Sequence, residues 1–380
     1  MMKRKRIFIP AISFVILGIA NALAEKFLYE QEAHGLPGRD KHKFVKPFFF
    51  STTLFFGVSL SLVGYIFLSI FKKDSYPPIW SLPRKTIFEF IISGFFDLFQ
   101  GVMSSVTSAL IGVSIDYMLR SATLVGVSLI SCFYFNRRFK KYEWIGIGIV
   151  TISLILVGLS SVINAESSTT IHVSKKLATI ILILKILSQT TYAIELSLDQ
   201  YYTQIKGIHV MIVSGMQSFW AFLIGAFVLI PFANKIPGED GKGLHEDFYD
   251  TILMLKNSQQ VVLILGLCVF IESIYQISSI SLTDSSSAVV RTLIESFRTF
   301  LLWLTQLAIF YGFRGNPKLE KYCLVGEEWS KGSWLQLFAY FLLLYGLMKY
   351  RGMSFWKCRM RHKKSILASQ YEMVETELPL

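Results

Sequence analysis

The chain has 380 residues, of which 53% are hydrophobic and only 17% are charged, with a formal net charge of +12. Apolar runs of bilayer-spanning length recur throughout, which excludes an ordinary soluble domain, since about 20 helical residues cross a hydrocarbon core of about 30 Å. No alternating pattern supports a barrel, so the fold class expected is an all-α polytopic membrane protein.

The N-terminus, Met1-Met2-Lys3-Arg4-Lys5-Arg6, precedes an apolar run from Ile7 to about Leu28. It reads either as a cleavable signal peptide, with Ala22-Leu23-Ala24 as the cleavage site, or as a retained first span. Retention is favoured, because Glu25 and its neighbours have a counterpart around Glu195 and Asp199, and removal would leave one repeat short. Glu30 to Lys46 is a polar loop, and the second span is Pro47 to about Phe71. The third runs from about Thr86 to Thr107 with Asp97; the fourth, about Ala109 to Phe135, carries Asp116 and Arg120. The basic loop Asn136–Glu143 leads to the fifth, Trp144 to about Val162, where Gly146, Gly148 and Gly158 permit close helix approach.

A Ser/Thr-rich linker, 164–176, divides the chain into a first five-helix repeat (1–163) and a second (177–350), followed by a tail (351–380). The sixth span, about Leu177 to Tyr201, contains Lys185, Gln189, Glu195 and Asp199; the seventh runs from about Val210 to Phe232. An acidic stretch, Ala233 to Ser258, reads as the longest internal loop. The eighth span, about Gln259 to Leu282, carries Glu272. The ninth, about Ser286 to Phe313, carries Arg291, Glu295 and Arg298, and the tenth is about Trp334 to Met348. Lys and Arg concentrate in the short loops on the side of the N-terminus and in the tail, which places both termini in the cytosol.

The two halves share one plan. Asp97 and Glu272, Asp116 and Arg291, and Arg120 and Glu295 are each separated by 175 residues. Ionisable groups at equivalent depths in two inverted repeats point to a transporter site at their interface. A charge at the bilayer centre costs at least about 2.5–3.5 kcal/mol on insertion scales, so these six residues are expected to face a bundle interior or watery cavity. Asp116–Arg120 and Arg291–Glu295 can pair within their own helices, or across a pseudo-two-fold axis as Asp116–Arg291 and Arg120–Glu295. Both arrangements serve either register or gating. Asp97 and Glu272 lack a partner four residues away and are candidates for a cation, proton or substrate amine; Lys185, Lys26 and Arg298 are their alternative counter-charges.

The excess of basic charge reflects topology and anionic lipid, not nucleic acid. Four cysteines form no C-x-x-C pair, and the six histidines make no metal spacing. Nucleotide-binding and hydrolase motifs are absent, so no cofactor, metal or catalytic constellation is expected. Tyr371-Glu372-Met373-Val374 in the tail has the pattern of an endosomal sorting signal.

The junction Asn136-Arg137-Arg138-Phe139-Lys140-Lys141-Tyr142-Glu143-Trp144-Ile145-Gly146, the preceding Met118-Leu119-Arg120-Ser121-Ala122, Ser296-Phe297-Arg298-Thr299 and Lys46-Pro47-Phe48 carry a resemblance. Over roughly residues 7–350 the chain resembles the drug/metabolite transporter superfamily, within it solute carrier family 35, and most closely the F subfamily. The resemblance implies a carrier, monomeric or homodimeric, for a small-molecule substrate. Its cavity would be lined by spans one to four and six to nine, in an endolysosomal or Golgi membrane. Nucleotide-sugar transporters of that superfamily often carry Gly-Ala-Leu-Asn-Lys where this chain reads Thr292-Leu293-Ile294-Glu295-Ser296. A nucleotide-sugar antiporter is therefore an alternative, as is a non-transporting scaffold that keeps the fold, and the acids suit cationic cargo better.

Overall fold

The computed structural model describes residues 2–38, 40–72, 76–120, 122–133, 140–168, 175–238, 244–314 and 320–350. The charged junction before residue 140 and the tail with its sorting motif lie outside the described residues. The described residues are almost wholly helical, apart from a short hairpin pairing Glu32-Ala33 with His42-Lys43. The helices in order are α1 (Met2–Tyr29), α2 (Pro47–Ser59), α3 (Ser61–Phe71), α4 (Arg84–Leu110), α5 (Val113–Arg120), α6 (Thr123–Phe133) and α7 (Lys141–Ser168). They continue with α8 (Lys175–Gln200), α9 (Val210–Ile224), α10 (Ile230–Lys235), α11 (Phe248–Asn257), α12 (Gln259–Ser285), α13 (Ala288–Phe313) and α14 (Lys331–Tyr350). Among the described residues, seven helical stretches are long and apolar enough to cross a membrane: Ile7–Tyr29, Pro47–Phe71, Arg84–Leu110, Thr179–Ile205, Val210–Lys235, Gln259–Ser285 and Ala288–Phe313.

Two expectations need correction. The fourth span is not continuous: α5 ends at Arg120 and α6 starts at Thr123. It is reached from α4 through Gly112, whose φ of +135° few other residues adopt. The second span runs from Pro47 to Phe71 as expected, with a single turn residue, Leu60, in helical backbone geometry between α2 and α3. α7 reaches Ser168 and α8 begins at Lys175. The acidic loop contains α11, whose N-terminus is capped by the Asp247 carboxylate accepting from Tyr249 and Asp250 N–H.

Packing follows a paired pattern. α1 lies along α12, and α4 along α8; α4 also packs on α9, and α2 on α12; α2 meets α9, and α7 meets α14. The α7–α14 seam is closest at Gly146, where an added Cβ would sit 2.6 Å from the Tyr350 backbone nitrogen. Gly148 faces open space and carries no such role, while the Gly158 side of the helix lies outside the described side chains.

One end of the bundle is tied by a polar strut. Glu246 accepts from Phe48 and Phe49 N–H, both at 2.8 Å, and so caps the start of α2, where Lys46 gives no side-chain cap. Asp250 accepts from Leu36 N–H and pairs with buried Lys46 at 2.9 Å and with His42 at 3.1 Å. Burial alone would raise the Asp250 carboxyl, but the Lys46 ammonium, the Leu36 amide and His42 outweigh it and bring it down to about 2. A lowered folded value means that this contribution is complete above about pH 4 and is lost as pH falls through about 2. Thermal unfolding is the check. Asp250→Asn is expected to lower Tm equally at pH 7 and pH 5, and to lack the wild-type loss between pH 4 and 2.

Candidate functional site

Between the helices lies a hollow of about 70 Å³. Its walls come from α1, α2, α4, α5, α8, α9, α12 and α13, the spans named by the resemblance; among the described residues α7 and α14 do not contribute. Phe50, Leu54, Phe55 and Val58 give one apolar wall from α2. The opposing surface is polar, with Asn21, Glu25, Asp97, Gln100, Arg120, Glu272 and Arg298. An apolar cleft with convergent polar groups is the usual form of a small-molecule site.

The structure brings three of the six predicted residues, Asp97, Arg120 and Glu272, to this hollow. Asp116, Arg291 and Glu295 lie behind its wall, nearly or wholly inaccessible. Asp116 is gripped from two sides, by Lys185 of α8 at 2.5 Å and by Arg120 at 3.3 Å. Ser104 of α4 completes the knot: its hydroxyl donates to Asp116 at 2.7 Å and accepts from Arg120 at 2.6 Å and Lys185 at 3.0 Å. Arg120 also reaches Glu295 at 3.9 Å, and Glu295 holds Arg298 at 3.4 Å. Arg298 donates to the Tyr275 hydroxyl at 2.9 Å and lies over the rings of Phe14, Tyr117 and Tyr275.

Of the two cross-helix pairs expected, Arg120–Glu295 forms and Asp116–Arg291 does not. Arg291 also does not pair with Glu295 on its own helix. It is taken by Asp199 of α8 at 2.9 Å and by the Tyr192 hydroxyl at 3.2 Å. Spacing of four residues permits a pair but does not select it over a buried acid on a neighbouring helix. The proposed counter-charges for Asp97 and Glu272 are likewise committed elsewhere: Lys185 to Asp116, Arg298 to Glu295, and Lys26 to the Gly326 carbonyl at 2.7 Å. Glu272 accepts from the Asn21 side chain at 2.7 Å, while Asp97 Oδ2 has no hydrogen-bond partner.

The residues that sequence reasoning left out of the site are Glu25, Lys185, Glu195, Asp199 and Arg298. All were legible as charges inside apolar spans, which is the signal that finds them. Among the described residues the interior sets Glu25, Asp97, Asp116, Glu195, Asp199, Glu272 and Glu295 against Lys185, Arg120, Arg291 and Arg298. Acids outnumber bases among these groups.

No family model matches the chain. It is similar to solute carrier family 35 member F6 of Rattus norvegicus and of Mus musculus, each 25% identical over 348 residues, covering 89% of this chain and 87% of the relative. The Homo sapiens protein of that name is 24% identical over 357 residues with the same coverage. These relatives, matched along nearly the whole chain, bear out its resemblance to solute carrier family 35.

Proposed function

We propose that this chain, an integral membrane protein related to solute carrier family 35, is a secondary carrier that moves a small polar, preferentially cationic solute by alternating access. The observation that carries the reading is the meeting of Asp97 and Glu272 in one hollow lined from both halves of the chain. An unpartnered Asp97 oxygen and a singly bonded Glu272 leave acceptors free for an amine. The proposed scheme has ten spans in two inverted five-helix repeats, with both termini cytosolic, in an endolysosomal or Golgi membrane.

The helix pairing supports the repeat scheme. Exchanging each helix for the one its 175-residue offset or order implies turns α1–α12 into α8–α4, and α4–α9 into α12–α2. α2–α9 and α7–α14 map onto themselves, as a pseudo-two-fold axis requires. The α5–α6 break beside Arg120 fits the discontinuous helices from which such carriers build their sites. A nucleotide-sugar antiporter is the second reading, favoured by Arg120 and Arg298 on the cavity wall, although both already hold acids.

Uptake into proteoliposomes, screened over cationic and anionic metabolites, tests the proposal. Asp97→Asn and Glu272→Gln are each expected to cut initial uptake about ten- to a hundredfold, the loss of one charge-assisted hydrogen bond of about 1.5–3 kcal/mol. Normal uptake by both folded variants would remove these residues from the site. The absence of flux for every solute would favour a scaffold.

A further inference from the structure

Each end of α12 is held by a connection that carries a histidine. The helix runs unbroken for 27 residues, about 40 Å at about 1.5 Å per residue. At its start, Val261 and Leu265 pack against buried Tyr29, Phe44 and Phe50. Over that plug the α1–α2 connection is fastened to α11, with Lys46 and His42 on one oxygen of Asp250. At its end, Gln204 donates to the Thr283 and Asp284 carbonyls, and Ile280 packs against buried Phe90, Tyr202 and Ile212. Over that plug the α8–α9 connection is fastened to α4 by Lys206 and Glu89, and His209 starts α9. The hollow lies between, from Phe50 at one plug to Gln276, one turn short of Ile280, at the other.

The hydrogen bonds at the two ends ask opposite protonation states of the two histidines. His42 Nδ1 faces the Asp40 carbonyl and Nε2 faces the Asp250 carboxylate, both at 3.1 Å. A carbonyl and an ionised carboxylate only accept, so the ring satisfies both only as imidazolium, with a proton on each nitrogen. His209 is the reverse. Its Nδ1 accepts from the Met211 N–H at 3.2 Å as the N-cap of α9, which requires a free lone pair and hence a neutral ring. Burial also holds His209 below the ordinary histidine range. Among the described residues, the charged groups facing His42 are Asp250 of α11 and Lys46, which shares it; Lys43 on the same strand is paired with Glu30. Those facing His209 are Asp284 at the end of α12 and the rings of Tyr65 on α3 and of Tyr76, at 5.1 and 5.3 Å.

Closure at the His42 end therefore takes up a proton, and closure at the His209 end gives one up. We propose that these two histidines place a proton-driven bias on alternating access: acid tightens the closure beside His42 and loosens the closure beside His209. A proton on His209 Nδ1 meets the Met211 N–H head-on, so the cap breaks and the connection that carries Lys206 is released. As pH falls, the population moves from a state open beside His42 towards one open beside His209; as pH rises, it returns. Both contacts push the same way, so one change of pH works both ends of the hollow together.

The bias rests on the carrier reading for its use, but opening is read in the purified full-length chain without cargo, so its failure is distinct from absent uptake. In a chain whose four native cysteines are serine, spin labels are attached to cysteines introduced in pairs at exposed positions across each closure, Lys41 with Tyr249 and Phe88 with Ile205. Distances are measured in detergent at pH 8 and pH 5 by pulsed electron spin resonance. From pH 8 to pH 5 the share of long distances is expected to fall between 41 and 249 and to rise between 88 and 205. The ratio of open to closed at each end should change about tenfold, as a difference of one pKa unit between the two states gives. His42→Gln should abolish the first change, and His209→Asn, which keeps a cap acceptor at every pH, the second. Distances that do not respond to pH, that respond at one end alone, that move the opposite way, or that still move in the double variant overturn the proposal. If either variant does not fold, His42→Asn or His209→Ser is read by the same criteria.

Discussion

Asp116→Asn is expected to lower Tm by on the order of 10 °C, the largest loss for any single change in the interior. Asp116 is wholly buried and holds Lys185, itself inaccessible, at 2.5 Å. Removing one partner of a buried pair leaves an uncompensated charge and costs about 3–5 kcal/mol, and each kcal/mol moves Tm by at most about 2–4 °C, the range for chains of about 150–250 residues. Arg120 and Ser104 trade a charged acceptor for a neutral amide oxygen at the same time. The double variant Asp116→Asn/Lys185→Met is expected to recover much of the loss, because a buried ion pair replaced by uncharged groups of similar volume is often neutral. Thermal unfolding of the two singles and the double closes the cycle. Additive losses would show that Lys185 and Asp116 do not meet inside the fold.

Arg291→Met is the second large loss, of similar size. Arg291 straps the start of α13 to α8 through Asp199 and Tyr192 and, at 3.5 Å, to Thr283 near the end of α12. Its removal leaves Asp199 and Glu195 with no base beside them. Arg291→Lys should fall between wild type and Arg291→Met, since an ammonium can keep the Asp199 bond but cannot fork to Tyr192 as well. Asp199→Asn in the Arg291→Met background should restore stability, measured again by Tm. Equal destabilisation by lysine and methionine would mean that the planar fork, not the charge, is what the site requires.

Much of the helical framework was legible because bilayer-length apolar runs are a strong signal, and the 175-residue offset paired Asp97 with Glu272 before any contact was seen. The break between Arg120 and Thr123 was not legible, because Ser121 and Ala122 are not helix breakers. The turn that precedes it rests on one glycine, Gly112. α11 was hidden by the Gly, Pro and charged residues around it, although Asp247 before Phe248 is an N-cap signal in the sequence itself. Partner choice was the least legible feature. Four-residue spacing proposed Arg291 for Glu295, yet Asp199 wins through distance and burial, neither of which a linear pattern encodes. Lys185 was visible as a counter-charge, but the side of α4 it would meet was not.

The central claim is that Asp97 and Glu272 face one watery hollow, whereas other positions on the same helices face lipid. It is tested most directly by single cysteines in a chain whose four native cysteines are serine. Asp97→Cys and Glu272→Cys are compared with Phe95→Cys and Phe270→Cys, exposed on the outer faces of α4 and α12. With a small, charged, membrane-impermeant thiol reagent applied to membrane vesicles of both orientations, the account predicts rapid modification at 97 and 272 and none at 95 and 270. Unreactive cysteines at 97 and 272, or reaction at the phenylalanine positions instead, would contradict it.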